Sequence, residues 1–217
     1  MTENFKDKAI SLLLEKINNQ ELDYNTIYSA TELSKEFGIS RTPMRDAINL
    51  LSEQSVVDIV PNKGFRLHKF TESDVLDTYH VRVAVECYQS QILAKNISPI
   101  LIKKIQESLN KQDIILNTGK NINDFVKEDL NFHFLIVSSN QNKMMISIFE
   151  KYSYIVRFLA SHAYYYDDRM DSALSEHKKI YEAIKNKDPN KAYLSMLSHL
   201  DIPYNLNMST IKKLFNT

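Results

Sequence analysis

Four side chains on three separate stretches have the types and spacing of a metal site: Asp129 and His133, four residues apart, then His177 and His199. A four-residue step places two side chains one above the other on a single helix face. Each of the four also falls on an apolar stripe. The first stripe is Phe125, Asp129, Phe132, His133 and Ile136; the second is Leu174, His177, Tyr181 and Ile184; the third is Ala192, Met196, His199, Leu200 and Pro203. Stripes of this period turn toward a core, so one carboxylate and three imidazoles are carried inward. Buried polar groups need partners, and one divalent cation satisfies all four. Imidazole and carboxylate donors suit zinc, nickel, manganese or iron, with zinc the first choice for its affinity and lack of geometric demand. His177 is followed by Lys178-Lys179-Ile180-Tyr181, so no HExxH pattern is present. His68, His80 and His162 lack such company and are read as ordinary core or surface residues.

A second chemistry is concentrated near the N-terminus. Ser29-Ala30-Thr31-Glu32 has the form of a capping box, and Gly38 supplies the positive φ with which helices end. Ser40 or Thr42 can cap the following helix, and Pro43 is tolerated in its first turn. Met44, Ala47, Ile48 and Leu51 repeat at helical spacing and face inward, which leaves Arg41, Thr42, Arg45 and Asn49 outside with Ser40 at the helix start. A recognition helix presents donors to phosphates and base edges from that place. Behind it, Val56–Val60 and Phe65–His68 flank the four-residue turn Pro61-Asn62-Lys63-Gly64, as expected of a β-wing. Lys63 offers one cation at the tip, and Gly64 allows close approach of backbone to a groove. With a first helix from about Asn4 to Asn19, these parts make a winged helix-turn-helix that binds double-stranded DNA.

The elements that carry the Asp/His set are all helices. Thr71–Asp74 caps a helix that runs to Lys95; Pro99 opens a second and Gly119 closes it; a third spans Ile122 to Ser138. Asn140 starts a fourth, Gln141 to Tyr164; a fifth covers Met170 to Lys187; a sixth follows Asp188-Pro189 and bends at Pro203. The chain is therefore mainly α: a reader over residues 1–70 followed by an all-α six-helix bundle over 71–217. With 217 residues, 43% of them hydrophobic, there is ample core for two domains. No apolar run approaches the ~18 residues that span a bilayer, and the first residues lack the form of a secretory signal. Cys87 is unpaired and reads as a small core hydrophobe, which fits a cytoplasmic setting. Only three glycines occur, so a glycine-rich phosphate loop is absent. The net charge of +0 gives no global field for nucleic acid. Affinity for DNA must then come from local placement and from doubling the reader in a homodimer.

Residues 29–67 resemble the N-terminal domain of the GntR family of bacterial transcription regulators, through Leu33, Gly38, Ser40, Arg41, Thr42, Pro43, Arg45, Asp46, Ala47, Leu51 and Gly64. Thr31 stands where some members place a further Arg, and Ser55 where Gly usually precedes the wing. Residues 71–216 resemble the FCD effector domain of the FadR subfamily, in its six-helix, VanR-like form. That signature matches at Asp129, His133, His177 and His199. The resemblance implies a divalent metal on those residues and a small organic acid whose carboxylate completes the coordination. It also marks Arg82, in Arg82-Val83-Ala84-Val85-Glu86, as the acid's other anchor, against the plainer reading of an i,i+4 surface pair with Glu86. The resulting expectation is a metabolite-responsive regulator rather than an enzyme. A metal-dependent hydrolase and a repressor with a purely structural metal are the alternatives.

Overall fold

The computed structural model describes residues 5–166 and 168–215, and the chain divides into two compact units between Phe70 and Thr71. The first unit contains α1 (Phe5–Asn18), α2 (Ala30–Glu36), α3 (Arg41–Glu53), β1 (Val57–Val60) and β2 (Gly64–Leu67). α1 and α2 both pack on α3, and Leu13, Leu14, Met44, Leu51 and Phe65 are fully enclosed between them and the sheet. Ser29 caps α2 by accepting from the Glu32 amide at 3.4 Å. α2 stops where Gly38 takes φ +63°, with Gly38 N–H on the Lys35 carbonyl and Ile39 N–H on that of Ser34. Ser40 occupies the N-cap of α3, but its side chain makes no capping bond.

The strands pair antiparallel with Val57 opposite Leu67 and Val60 opposite Gly64, so the wing loop is the three residues Pro61–Lys63 with Asn62 left-handed. The expected four-residue turn is shortened because Gly64 is itself paired. Tyr28 adds a bridge to Phe65 through two backbone bonds, 2.7 and 3.0 Å long. That approach explains Gly64: a Cβ there would stand 2.0 Å from the Tyr28 carbonyl oxygen. Its missing side chain makes room for the protein's own backbone.

The second unit comprises, among the described residues, six helices. The first is continuous from Glu72 to Lys95 but changes pitch. α4 (Glu72–Arg82) passes through a π turn (Val83–Cys87) into α5 (Tyr88–Lys95). Thr71 and Asp74 close the capping box at its start in both directions. Then come α6 (Pro99–Asn117), α7 (Ile122–Val137), α8 (Lys143–Ala163), α9 (Arg169–Lys185) and α10 (Pro189–Phe215). The fourth starts later than the sequence suggested. Asn142 is its cap, accepting from the Met144 and Met145 amides, while the Asn140 side chain braces the preceding turn through the Asn142 amide. α10 packs against α9, α5, α4 and α8, and α7 bridges α6 and α8. Phe132, Ile136, Ile180, Ile184 and Met196 lie in the shared core, where Cys87 is buried as a small hydrophobe.

Candidate metal centre and DNA-reading face

On the first unit, Ser40, Arg41, Thr42, Arg45 and Asn49 are all exposed along α3. A groove of about 420 Å³ brings Arg45 and Asn49 together with Asn62, Lys63 and Gly64 of the wing and Thr31 at the start of α2. Helix and wing thus share one concave face, with two cations and two amides along it. Ile59, half exposed, adds an apolar edge.

In the second unit, α7, α9 and α10 bring Asp129, His133, His177 and His199 to one point, and each is at most 3% exposed. The Nε2 atom of His199 lies 3.2 Å from that of His133 and 3.3 Å from that of His177. Asp129 Oδ1 is 3.4 Å from His177 Nε2 and 3.9 Å from His133 Nε2. Two ligands at zinc-like distances of ~2.0–2.1 Å and a tetrahedral angle stand roughly 3.3–3.4 Å apart; three of these separations are close to that, and the Asp129–His133 one is wider at 3.9 Å.

The far side of each ring shows why the near side faces inward. His199 Nδ1 is 2.6 Å from Glu176 Oε2, and His177 Nδ1 is 2.8 Å from Gln112 Oε1. His133 Nδ1 is 2.6 Å from Glu86 Oε2, a close ionic contact whose angle falls short of a directed hydrogen bond. Carboxylate oxygens and the Gln112 amide oxygen only accept, so in a neutral ring the proton sits on Nδ1 and the Nε2 lone pair is turned to the centre. Burial, reinforced by the neighbouring imidazoles, lowers the pKa of His177 and His199 well below the usual histidine value, so both are neutral at pH 7. Lone pairs converging at 3.2–3.3 Å with a carboxylate beside them repel one another unless a cation lies between. Phe132 stacks on His177 with centroids 4.3 Å apart and fixes the plane of that ring.

A further ring of residues holds the braces. Arg82 grips Glu86 with two bonds, 2.7 and 3.3 Å, and the Tyr152 hydroxyl donates to the same carboxylate at 3.0 Å. Burial alone would push the Glu86 carboxyl up. Arg82 and His133 outweigh it and hold the group well below the usual carboxylate range. Arg169 grips Glu176 with two bonds of 2.9 and 3.0 Å, although burial raises the Glu176 carboxyl. The Tyr164 hydroxyl donates to Asp129 Oδ1 at 2.7 Å, and burial followed by the Asp129 charge drives its pKa well above normal. Arg82 therefore reaches the centre indirectly, through Glu86 and His133. The i,i+4 pair with Glu86 is real, but it is buried rather than at the surface.

Glu86, Gln112, Glu176, Tyr152, Tyr164 and Arg169 were not singled out as site residues from sequence. Glu176 directly precedes His177, and Tyr164 opens the run Tyr164-Tyr165-Tyr166, the two signals that pointed their way. Of the other histidines, His68 contacts Asp58 Oδ1 at 2.8 Å and His162 the Phe158 carbonyl at 2.9 Å.

Comparison with known proteins agrees in both units. The profile of the bacterial regulatory proteins of the gntR family matches residues 5–67, and that of the FCD domain matches residues 77–202. The uncharacterized HTH-type transcriptional regulator YdhC of Bacillus subtilis is 25% identical over 79% of this chain and 76% of its own length. The HTH-type transcriptional repressor RspR of Escherichia coli is 25% identical over 81% of this chain and 76% of its own length. The gluconate operon transcriptional repressor of Bacillus licheniformis is 23% identical over 83% and 75%. Among solved structures, E. coli McbR/YncC shares the fold with a TM-score of 0.79 at 14% identity, covering 99% of this chain and 100% of that one. Among the described residues no helix is long and apolar enough to cross a membrane. A helix-turn-helix with its wing, followed by an FCD bundle, places this chain in the GntR family as a DNA-binding transcriptional regulator and not an enzyme.

Proposed function

We propose that the protein is a cytoplasmic, homodimeric repressor whose FCD bundle binds a divalent metal and a small carboxylate effector, and whose operator affinity responds to that effector. The observation that carries the reading is the inward turn of three Nε2 atoms and one carboxylate, each ring braced from behind. Asp129, His133, His177 and His199 would hold the ion, with zinc preferred over nickel, manganese or iron. Bound there, the ion supplies a positive centre to which an anionic effector is drawn. Arg82, one residue removed from His133 through Glu86, adds a second cation on the effector's side. Arg41, Arg45, Asn49 and Lys63 make the DNA contacts, with Ser40, Thr42 and Gly64 flanking them. Two copies of the reader supply the affinity that a net charge of +0 does not. The units 1–70 and 71–217 serve as reader and effector domain. The repressor names of two relatives and the gluconate operon of one support a role in acid-responsive repression.

Native mass spectrometry with elemental analysis, on protein prepared without added metal, tests the core of this. One ion per chain in a dimer is the expected result, lost in His177→Ala. Full metal content in that variant overturns the assignment. Operator titrations with and without carboxylates then test coupling, for which a typical ~1–3 kcal/mol corresponds to a shift of about 5- to 150-fold.

A further inference from the structure

Asn49 is a residue that the fold of the N-terminal unit does not explain. It stands well inside α3, four residues after Arg45 and four before Glu53, and it is exposed. Asparagine is a poor interior helix former because its amide competes with the backbone for hydrogen bonds. Inside a helix that amide is commonly spent on a near neighbour. Asn131 donates to Glu128 at 2.6 Å, Asn205 donates to the Asp201 carbonyl at 2.8 Å, and Asn110 accepts from Gln106 at 3.1 Å. Each of those partners lies three or four residues back. Among the described residues the Asn49 amide makes no such bond, to its own helix or to anything else. A residue that weakens its helix and repays nothing locally points to a use outside the fold.

Its surroundings give the amide a direction. Asn49 lines the groove between α3 and the wing with Arg45, Thr31, Asn62 and Lys63, whereas Asp46 and Glu53, also exposed on α3, are outside that lining. Arg45 and Asn49 share a helix face at a four-residue step, ~6 Å along the axis. That spans about two base steps of ~3.4 Å when a helix lies along a major groove. The two side chains ask for different bases. Arginine only donates, which suits guanine, whose O6 and N7 both accept. An amide offers a donor and an acceptor side by side, and adenine presents their complements at N7 and N6–H. Against guanine the Asn49 Oδ1 atom would meet O6, acceptor against acceptor. Phosphate oxygens also only accept, so a phosphate contact would leave the same Oδ1 unused.

We infer that Asn49 is a specificity-determining residue, pairing with an adenine in the major groove about two base steps from a guanine read by Arg45. The inference rests on the reading above that this face contacts DNA.

The test selects a duplex library with a randomised central segment on the full-length protein, in the wild type, Arg45→Ala and Asn49→Ala, and sequences what is retained. Anisotropy titrations of the recovered wild-type site and its single base-pair changes follow. Alanine is the better helix former, so Asn49→Ala keeps α3 intact. In the wild type, changing the adenine to any other base is expected to weaken binding about 5- to 150-fold. Asn49→Ala is expected to abolish that discrimination while the one at guanine stays, and Arg45→Ala to do the reverse. An Asn49→Ala profile that keeps every base preference of the wild type overturns the inference. This holds whether affinity is unchanged or evenly lower, the second being the mark of a phosphate contact. Loss of discrimination at a base other than adenine overturns it as well. If Arg45→Ala also keeps every preference, the reading of this face as the DNA contact fails with it.

Discussion

Glu86 stands behind His133 and pairs with Arg82, and removing only its charge gives a sharp test. Glu86→Gln keeps the shape of a side chain that is wholly buried, so no cavity opens. What changes is the partner of three groups: the Arg82 guanidinium, 11% exposed, the His133 ring, fully enclosed, and the Tyr152 hydroxyl, which an amide oxygen can still accept from. Removing one member of a buried ion pair costs ~3–5 kcal/mol, mostly for the charge left behind. Loss of the brace behind a metal-binding imidazole lowers metal affinity about 10- to 100-fold. The chain has no Trp, so urea unfolding is followed by far-ultraviolet circular dichroism, with and without metal, alongside a competitive metal titration. The Arg82→Met/Glu86→Gln double variant should recover part of the lost stability, because no charge is then stranded; coupling of ~0.5–3 kcal/mol is the range for contacting residues. Metal affinity should stay low in the double variant, since His133 is still unbraced. If Glu86→Gln is within ~0.5 kcal/mol of wild type and binds metal normally, the brace is not what aims His133. If the double variant is no better than the single, Arg82 is not the group left unpaired.

Arg45→Ala should weaken operator binding by ~1–3 kcal/mol in fluorescence anisotropy with no change in the unfolding curve, because the side chain is exposed. Ser55 adopts φ +54°, a left-handed conformation that glycine takes without strain. Relief of the ~1–2 kcal/mol left-handed penalty, less the ~0.5–1 kcal/mol entropy cost of glycine, leaves Ser55→Gly more stable by up to ~1.5 kcal/mol, read as a higher midpoint for the N-terminal unit. Acid should destabilise the metal-free C-terminal unit. His177 and His199 have folded pKa values below the unfolded value of ~6.5, so the unfolded chain takes up protons first and stability declines as pH falls beneath ~6.5. Unfolding midpoints that stay flat from pH 7 to pH 5 would count against neutral, buried rings.

Much of this was legible because it is written in local patterns. Gly38, Ser40 and the inward series Met44, Ala47, Ile48, Leu51 specify a helix end, a cap and a buried face, and nothing distant is needed to read them. The Asp129–His133 step and the stripes around His177 and His199 likewise name the faces that meet. The braces are another matter. Gln112 is a single polar residue on α6, and its partner His177 is 65 residues away. Glu86 looks like one end of a surface pair until the bundle closes over it. Asn140 and Asn142 are equally good caps in sequence, and only the course of the turn makes Asn142 the one that starts α8. Gly64 carries a second constraint that is hidden for a similar reason. Its conformational freedom is plain from its type, but the Tyr28 carbonyl that requires it arrives from outside the hairpin.

The π turn at Val83–Cys87 starts directly after Arg82 and holds Glu86, the two members of the buried pair on this helix. A wide turn accommodates one residue more than an α turn of the same rise. Substitution therefore neither creates nor erases it easily; that takes an insertion or a deletion. Relatives without a carboxylate behind their counterpart of His133 should align to this chain only with a one-residue gap between 83 and 87. Relatives that keep the carboxylate should align without one. A one-residue gap placed in that stretch of an alignment is a change of helix pitch, to be read as structure rather than noise.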